Sequence, residues 1–235
     1  MELKPTEKKQ VKVKMALTGM SGSGKSLSSL LLAKGLCNGD LSKVAVIDTE
    51  NAISLYSQVG NFNVLNMTAP FTVDKYITAI DICEKAGMEC IILDGISQEW
   101  QHLLQYHGTL MGNSFTAWQK VTPLHTAFVQ RILQSPCHIL ATMRAKTNLL
   151  MEVKDNKTTI VNAGTKSIQR SDIVFEFSTV LSINAEHKAS CIKDRSGLFT
   201  GKPAFVITEN IGKQILDWCN CEIPKSTTIV GMKAA

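Results

Sequence analysis

One octapeptide constrains this chain more than any other feature: Gly19-Met20-Ser21-Gly22-Ser23-Gly24-Lys25-Ser26. It fits the spacing G-x-x-x-x-G-K-[ST], a pattern that has physical meaning only between a strand and a helix. That context is present. Residues 11–18 form an apolar run that reads as a strand. Residues 25–37 read as a helix, with an apolar stripe of Leu27, Leu30, Leu31, Leu36 and Cys37 and a stop at Asn38 and Gly39. A strand that turns through glycines into a helix offers backbone N–H groups and a positive dipole end to a phosphate chain. Gly19, Ser21, Gly22, Ser23, Gly24, Lys25, Ser26 and Leu27 are therefore expected to bind the nucleotide ATP. Lys25 would reach the β- and γ-phosphates and Ser26 would ligate Mg²⁺.

The remaining pattern supports an α/β fold. Short apolar runs at 44–47, 62–65, 90–93 and 137–142 read as strands, alternating with helical stretches at 73–86, 97–107 and 115–134. Strands apolar on both faces and separated by helices argue for a mainly parallel sheet flanked by helices. The last third differs. Residues 144–171 are polar and weakly patterned, 173–183 and 188–192 read as a long hairpin turning at 184–187, and 205–207 as a further strand before a final helix over 209–220. This predicts an antiparallel hairpin extension at one edge. At 235 residues without repeats or linkers, the chain reads as one domain over 13–221, with a flexible basic segment at 1–12 and a tail at 222–235.

A phosphate loop needs a carboxylate for its metal. Cys90-Ile91-Ile92-Leu93-Asp94 supplies one at the tip of a buried strand, where ligands bind in open α/β sheets. Asp94 is expected to hold Mg²⁺ with Ser26. Hydrolysis also needs a group that orients or deprotonates water. The residue after Asp94 is Gly95, so the base comes from elsewhere: Glu50, just past the strand 44–47, or Glu99 on the following helix. Glu50 is preferred, provided its strand neighbours the phosphate-loop strand; the alternative for Glu50 is a helix-capping carboxylate.

The glycine loop, then Val44-Ala45-Val46-Ile47-Asp48-Thr49-Glu50-Asn51, then Ile91-Ile92-Leu93-Asp94-Gly95, has the order and spacing of the RecA-like P-loop NTPase core. The chain resembles still more the small phage and prophage AAA-type ATPases implicated in single-strand annealing and recombination. Ala141–Lys146, Ile168–Phe177 and Lys193-Asp194-Arg195-Ser196-Gly197-Leu198-Phe199 also resemble theirs, so the likeness covers roughly 13–218. It implies a DNA-stimulated ATPase with Glu50 as catalytic carboxylate. It implies a homo-oligomer, ring or filament, in which Lys193 and Arg195 reach a neighbour's nucleotide. Thr142 and Arg144 fall where that family places a γ-phosphate sensor, and Tyr56 near its adenine contact. A single-strand DNA-binding protein is a further implied partner. The rival readings are a small-molecule kinase and an ATP-dependent switch or scaffold that binds protein.

Charge locates the DNA expectation. The net charge is +5, but residues 1–14 carry +3 and 224–235 carry +2, which leaves the body neutral. Coating nucleic acid by bulk charge is thereby excluded. Within that body, 144–171 holds Arg144, Lys146, Lys154, Lys157, Lys166 and Arg170 against Glu152 and Asp155, a local +4. Those lysines, with Arg170, are the expected phosphate contacts to single-stranded DNA; the alternative is a solvated β-ribbon. A second candidate loop is 108–114, with Phe115 or Trp118 as a stacking partner. Only four of 25 basic residues are arginine, and none lies between Ser26 and Gln130, which argues against an arginine-rich kinase lid. Seven scattered cysteines without C-x-x-C spacing suit free thiols in the cytoplasm of a bacterial or phage-infected cell. No apolar run approaches membrane-spanning length. The five histidines are assigned no role.

Overall fold

The computed structural model describes residues 11–154 and 157–221; the expected basic segment and the tail lie outside them, apart from residues 11 and 12. Nine strands and six α-helices follow in chain order: β1 (Lys14–Gly19), α1 (Lys25–Leu36), β2 (Val44–Asp48), β3 (Asn63–Asn66), α2 (Val73–Lys85), β4 (Cys90–Asp94), α3 (Ser97–Thr109), α4 (Ser114–Gln134), β5 (His138–Lys154), β6 (Lys157–Ser167), α5 (Ile173–Glu176), β7 (Thr179–Ile183), β8 (Lys188–Asp194), β9 (Phe205–Val206) and α6 (Glu209–Asn220). A seven-residue 3₁₀ segment, Ile53–Val59, follows β2.

The sheet runs β3-β2-β4-β5-β1-β7-β8-β9, with β6 paired to β5. β3, β2, β4, β5, β1 and β7 are parallel, and β8 and β9 close one edge antiparallel. This is a P-loop NTPase α/β architecture. Every residue of β1, β2 and β4 is buried, as expected for central parallel strands covered on both faces. One face packs against α2, α3 and α4 through a core containing Tyr76, Leu103, Val121 and Phe128. The other packs against α1 and α6 through Leu30, Leu32, Leu36 and Ile215.

Two expectations need correction and one alternative is realised. β2 lies between β3 and β4, with β4 and β5 separating it from β1, so Glu50 does not come from a neighbour of the phosphate-loop strand. Residues 144–171 take the β-ribbon form that was the alternative to a loop: β5 runs on to Lys154 and returns as β6, antiparallel to it. Leu149, Met151 and Val161 on it are exposed, so its residues carry no core-facing alternation for sequence reading to detect. The apolar run 173–183 is not one strand either. Ile173 and Phe177 are buried four residues apart on the short helix α5 and its end, and β7 begins only at Thr179.

Candidate functional site

The carboxyl ends of β1, β2, β4 and β5 surround a cleft of about 440 Å³ lined by Lys25, Ser26, Glu50, Asp94, Arg144 and Tyr56, among others. Its floor is the glycine loop. Gly22 and Gly24 have φ of 77° and 91°, and Gly24 leads directly into α1. The left-handed backbone at Gly24 is one that L side chains adopt only at a cost. The Lys25 ammonium donates to the Met20 carbonyl at 2.9 Å. Burial lowers its pKa, opposed by the carboxylates of Glu50 and Asp94.

Asp94 ends β4 with 4% of its surface exposed. Thr142 on β5 donates its hydroxyl to the Asp94 carboxylate at 2.5 Å. Burial raises the Asp94 carboxyl above its ordinary pKa; hydrogen bonds from Thr142 and Ser26 oppose this, and the charges of Glu50 and Asp48 add to it. A buried carboxylate with a serine hydroxyl against it and further acids nearby fits a divalent cation. Ser26 and Asp94 would hold Mg²⁺, with phosphate and water completing the shell. Bound there, the ion would neutralise developing phosphate charge. Among the described residues no cluster of three or more His, Cys, Asp or Glu could hold a metal alone.

Gly95 explains why no glutamate follows Asp94. A Cβ there would sit 3.0 Å from the Thr142 hydroxyl and 3.2 Å from its carbonyl. Tyr76 donates its hydroxyl to the Gly95 carbonyl at 2.8 Å, and the Gly95 N–H donates to Thr49 at 2.9 Å.

Glu50 reaches the cleft through the loop after β2, and Asp48 shapes that loop. The Asp48 carboxylate is buried and accepts four backbone N–H groups, from Glu50, Asn51, Ala52 and Ile53, at 2.8–2.9 Å. Asp48 is thus the capping carboxylate. Glu50 is left to pair with Arg144 at 2.9 Å across the cleft. Glu99 stands away from the cleft lining: it is fully buried, paired with His125 at 3.0 Å and contacted by Gln169 at 3.3 Å. Thr142 serves Asp94 and Arg144 serves Glu50, so neither sensor candidate stands free. Tyr56 is half-buried in the 3₁₀ segment and lines the cleft.

Two residues escaped sequence reading. Gln98, with its amide nitrogen turned toward the Gly95 carbonyl at 3.0 Å, accepts from Arg144 at 3.0 Å and so braces the arginine. His187, in the β7–β8 turn, lies 3.0 Å through Nδ1 from the Ser23 carbonyl. Neither carries a local signal; both contacts depend on the sheet order.

Lys193 and Arg195 stand apart from the cleft. β8 is antiparallel, and Asp194 pairs with Thr179 beside Met15, four residues below Gly19 along β1. That is about 13 Å toward the opposite edge of the sheet. Lys193 donates to the carbonyls of Val174 and Phe175 at 3.0 and 2.5 Å, and Arg195 to Phe175 at 3.2 Å. The Asp194 carboxylate between them accepts from the N–H groups of Ser196, Phe199 and Thr200 in its own loop. Burial pushes its carboxyl pKa up, but hydrogen bonds from Ser196, Phe199 and Thr200 hold it below the ordinary value.

On the ribbon, Lys146 and Lys166 are exposed and Arg170 is half-buried in an ion pair with Asp172 at 2.9 Å; the side chains of Lys154 and Lys157 lie outside the described residues. Lys166 and Arg170 share a cavity of about 490 Å³ with Trp100 and Trp118. Trp118 is stacked on Trp100 at 5.8 Å and lies 4.4 Å from His107, so it belongs to the packing of α3 and α4. α3 runs on through Gly108, which shortens the second candidate loop; Phe115 is 73% exposed.

A strand, glycine loop and helix facing two strand-end carboxylates define a P-loop nucleotide-binding site. A family model for the AAA domain matches residues 11–214, and the chain belongs to that family of nucleotide-binding ATPases. No curated protein matches it. No helix among the described residues is long and apolar enough to cross a membrane.

Proposed function

We propose that this ATPase acts on single-stranded DNA in phage-type recombination or annealing, as a homo-oligomer with nucleotide between protomers. One observation carries the reading: a single strand, β5, serves both the nucleotide and the basic ribbon. Its first half places Thr142 on Asp94 and Arg144 on Glu50, and its second half pairs with β6. At the ribbon root, Ile168 donates to the Arg144 carbonyl at 2.6 Å and Gln169 donates to the Ile96 carbonyl at 3.0 Å, two residues past Asp94. DNA phosphates on Lys146, Lys166 and Arg170 would therefore act on elements joined to the catalytic carboxylates. Glu50 would take the proton of, or orient, the attacking water once Arg144 turns to the γ-phosphate. Lys193 and Arg195 would leave their carbonyl partners for a neighbour's nucleotide and stabilise its developing charge.

The test is ATP hydrolysis with and without single-stranded DNA at two salt concentrations. Stimulation that weakens with salt, and that falls in Lys166→Ala/Arg170→Ala, is expected. Hydrolysis indifferent to DNA would contradict the DNA role and leave a switch that binds protein.

A further inference from the structure

From the β7–β8 turn, His187 reaches the glycine loop. The turn is held for this. The Asn184 side chain accepts from the N–H groups of Glu186 and Lys188 at 3.0 and 2.9 Å, and His187 itself has φ 60°. Glycine or asparagine fills such a left-handed position at less cost. A Cβ at Gly24 would lie 3.2 Å from the His187 Nδ1, so the missing side chain in the loop makes room for this ring. The ring also lines the nucleotide cleft.

We propose that His187 is a nucleotide-recognition residue that accepts a hydrogen bond from the nucleoside part of the bound nucleotide. Two physical arguments support it. The Ser23 carbonyl can only accept, so Nδ1 is the donor at 3.0 Å; in the neutral ring this leaves Nε2 as an acceptor. An acceptor suits a sugar hydroxyl or a base amino group and is repelled by phosphate oxygens. The second argument is topological. Arg144, Asp94 and Glu50, the groups for the terminal phosphate, come from β5, β4 and β2 on one side of β1, whereas His187 comes from β7 on the other. The inference rests on the nucleotide reading of the cleft and is independent of DNA.

Dissociation constants for ATP, ADP and inorganic tripolyphosphate in wild type, His187→Ala and His187→Asn test it. Asparagine tolerates the left-handed turn, so this variant carries the test if the alanine form does not fold. Expected is a roughly three- to tenfold weakening for ATP and ADP, the loss of one hydrogen bond, with tripolyphosphate unchanged. Equal weakening of tripolyphosphate would overturn the proposal and reduce His187 to a brace for the loop. Unchanged binding of all three would also overturn it. A wild-type protein that binds no nucleotide would instead refute the site itself, and the proposal with it.

Discussion

Two loops in this molecule are built on the same plan and end in different states. At the carboxyl edge of the sheet Asp48 closes β2, and at the opposite edge Asp194 closes β8. Each aspartate commits its carboxylate to the N–H groups of the loop behind it: four for Asp48, and those of Ser196, Phe199 and Thr200 for Asp194. Each thereby leaves charged neighbours free for other work. The Asp48 loop presents Glu50 to Arg144 inside the cleft. The Asp194 loop presents Lys193 and Arg195, which rest on main-chain carbonyls of α5. One loop meets its functional partner within the same chain. The other holds main-chain carbonyls, and under the proposed function a second protomer would supply the nucleotide it reaches.

The comparison breaks most visibly at the second loop. Lys193→Ala/Arg195→Ala is expected to lower hydrolysis by about 10³-fold or more. The dissociation constant for ATP, measured by titration at low protein concentration, should stay unchanged, because neither residue touches its own cleft. Glu50→Gln is expected to cut kcat at least about 10²-fold while ATP still binds. If both binding and turnover collapsed in that variant, Glu50 would be a structural partner of Arg144 and not a base.

The next effects concern stability. Asp48→Ala leaves four N–H groups without their acceptor and should cost about 2–3 kcal/mol in denaturant unfolding, with Asp194→Ala costing less because that loop is more exposed. The smallest effect sharpens the electrostatics. Burial raises the Asp94 carboxyl pKa, so the folded chain holds that proton more tightly than the unfolded chain does. Its contribution to stability therefore declines as pH rises through the ordinary carboxylate range. Asp94→Asn should melt a few degrees higher than wild type at neutral pH, with the gap closing below about pH 4, and should lose Mg²⁺-dependent hydrolysis.

How much of this could be read in the sequence follows from the range of the contacts. The glycine loop, Asp94 and Glu50 were legible because a strand end and the following residues fix their positions locally. The sheet order was not, and it separates β2 from β1 by β4 and β5. Glu50 reaches the cleft anyway because the carboxyl ends of these strands share one edge. Gln98 and His187 were illegible because nothing nearby in the chain marks a residue whose partner lies 46 or 164 positions away. The ribbon was legible only as an alternative, because its local pairing carries little apolar pattern.

The central claim is that the two edges are halves of a shared site, and mixing protomers tests it. Lys25→Ala lacks a working cleft, and Lys193→Ala/Arg195→Ala lacks the groups that would reach across. Each alone should be inactive in ATP hydrolysis. Mixed, some interfaces join an intact cleft to intact Lys193 and Arg195, and partial recovery of activity is expected. No recovery at any mixing ratio, with both proteins folded and able to associate, would contradict it.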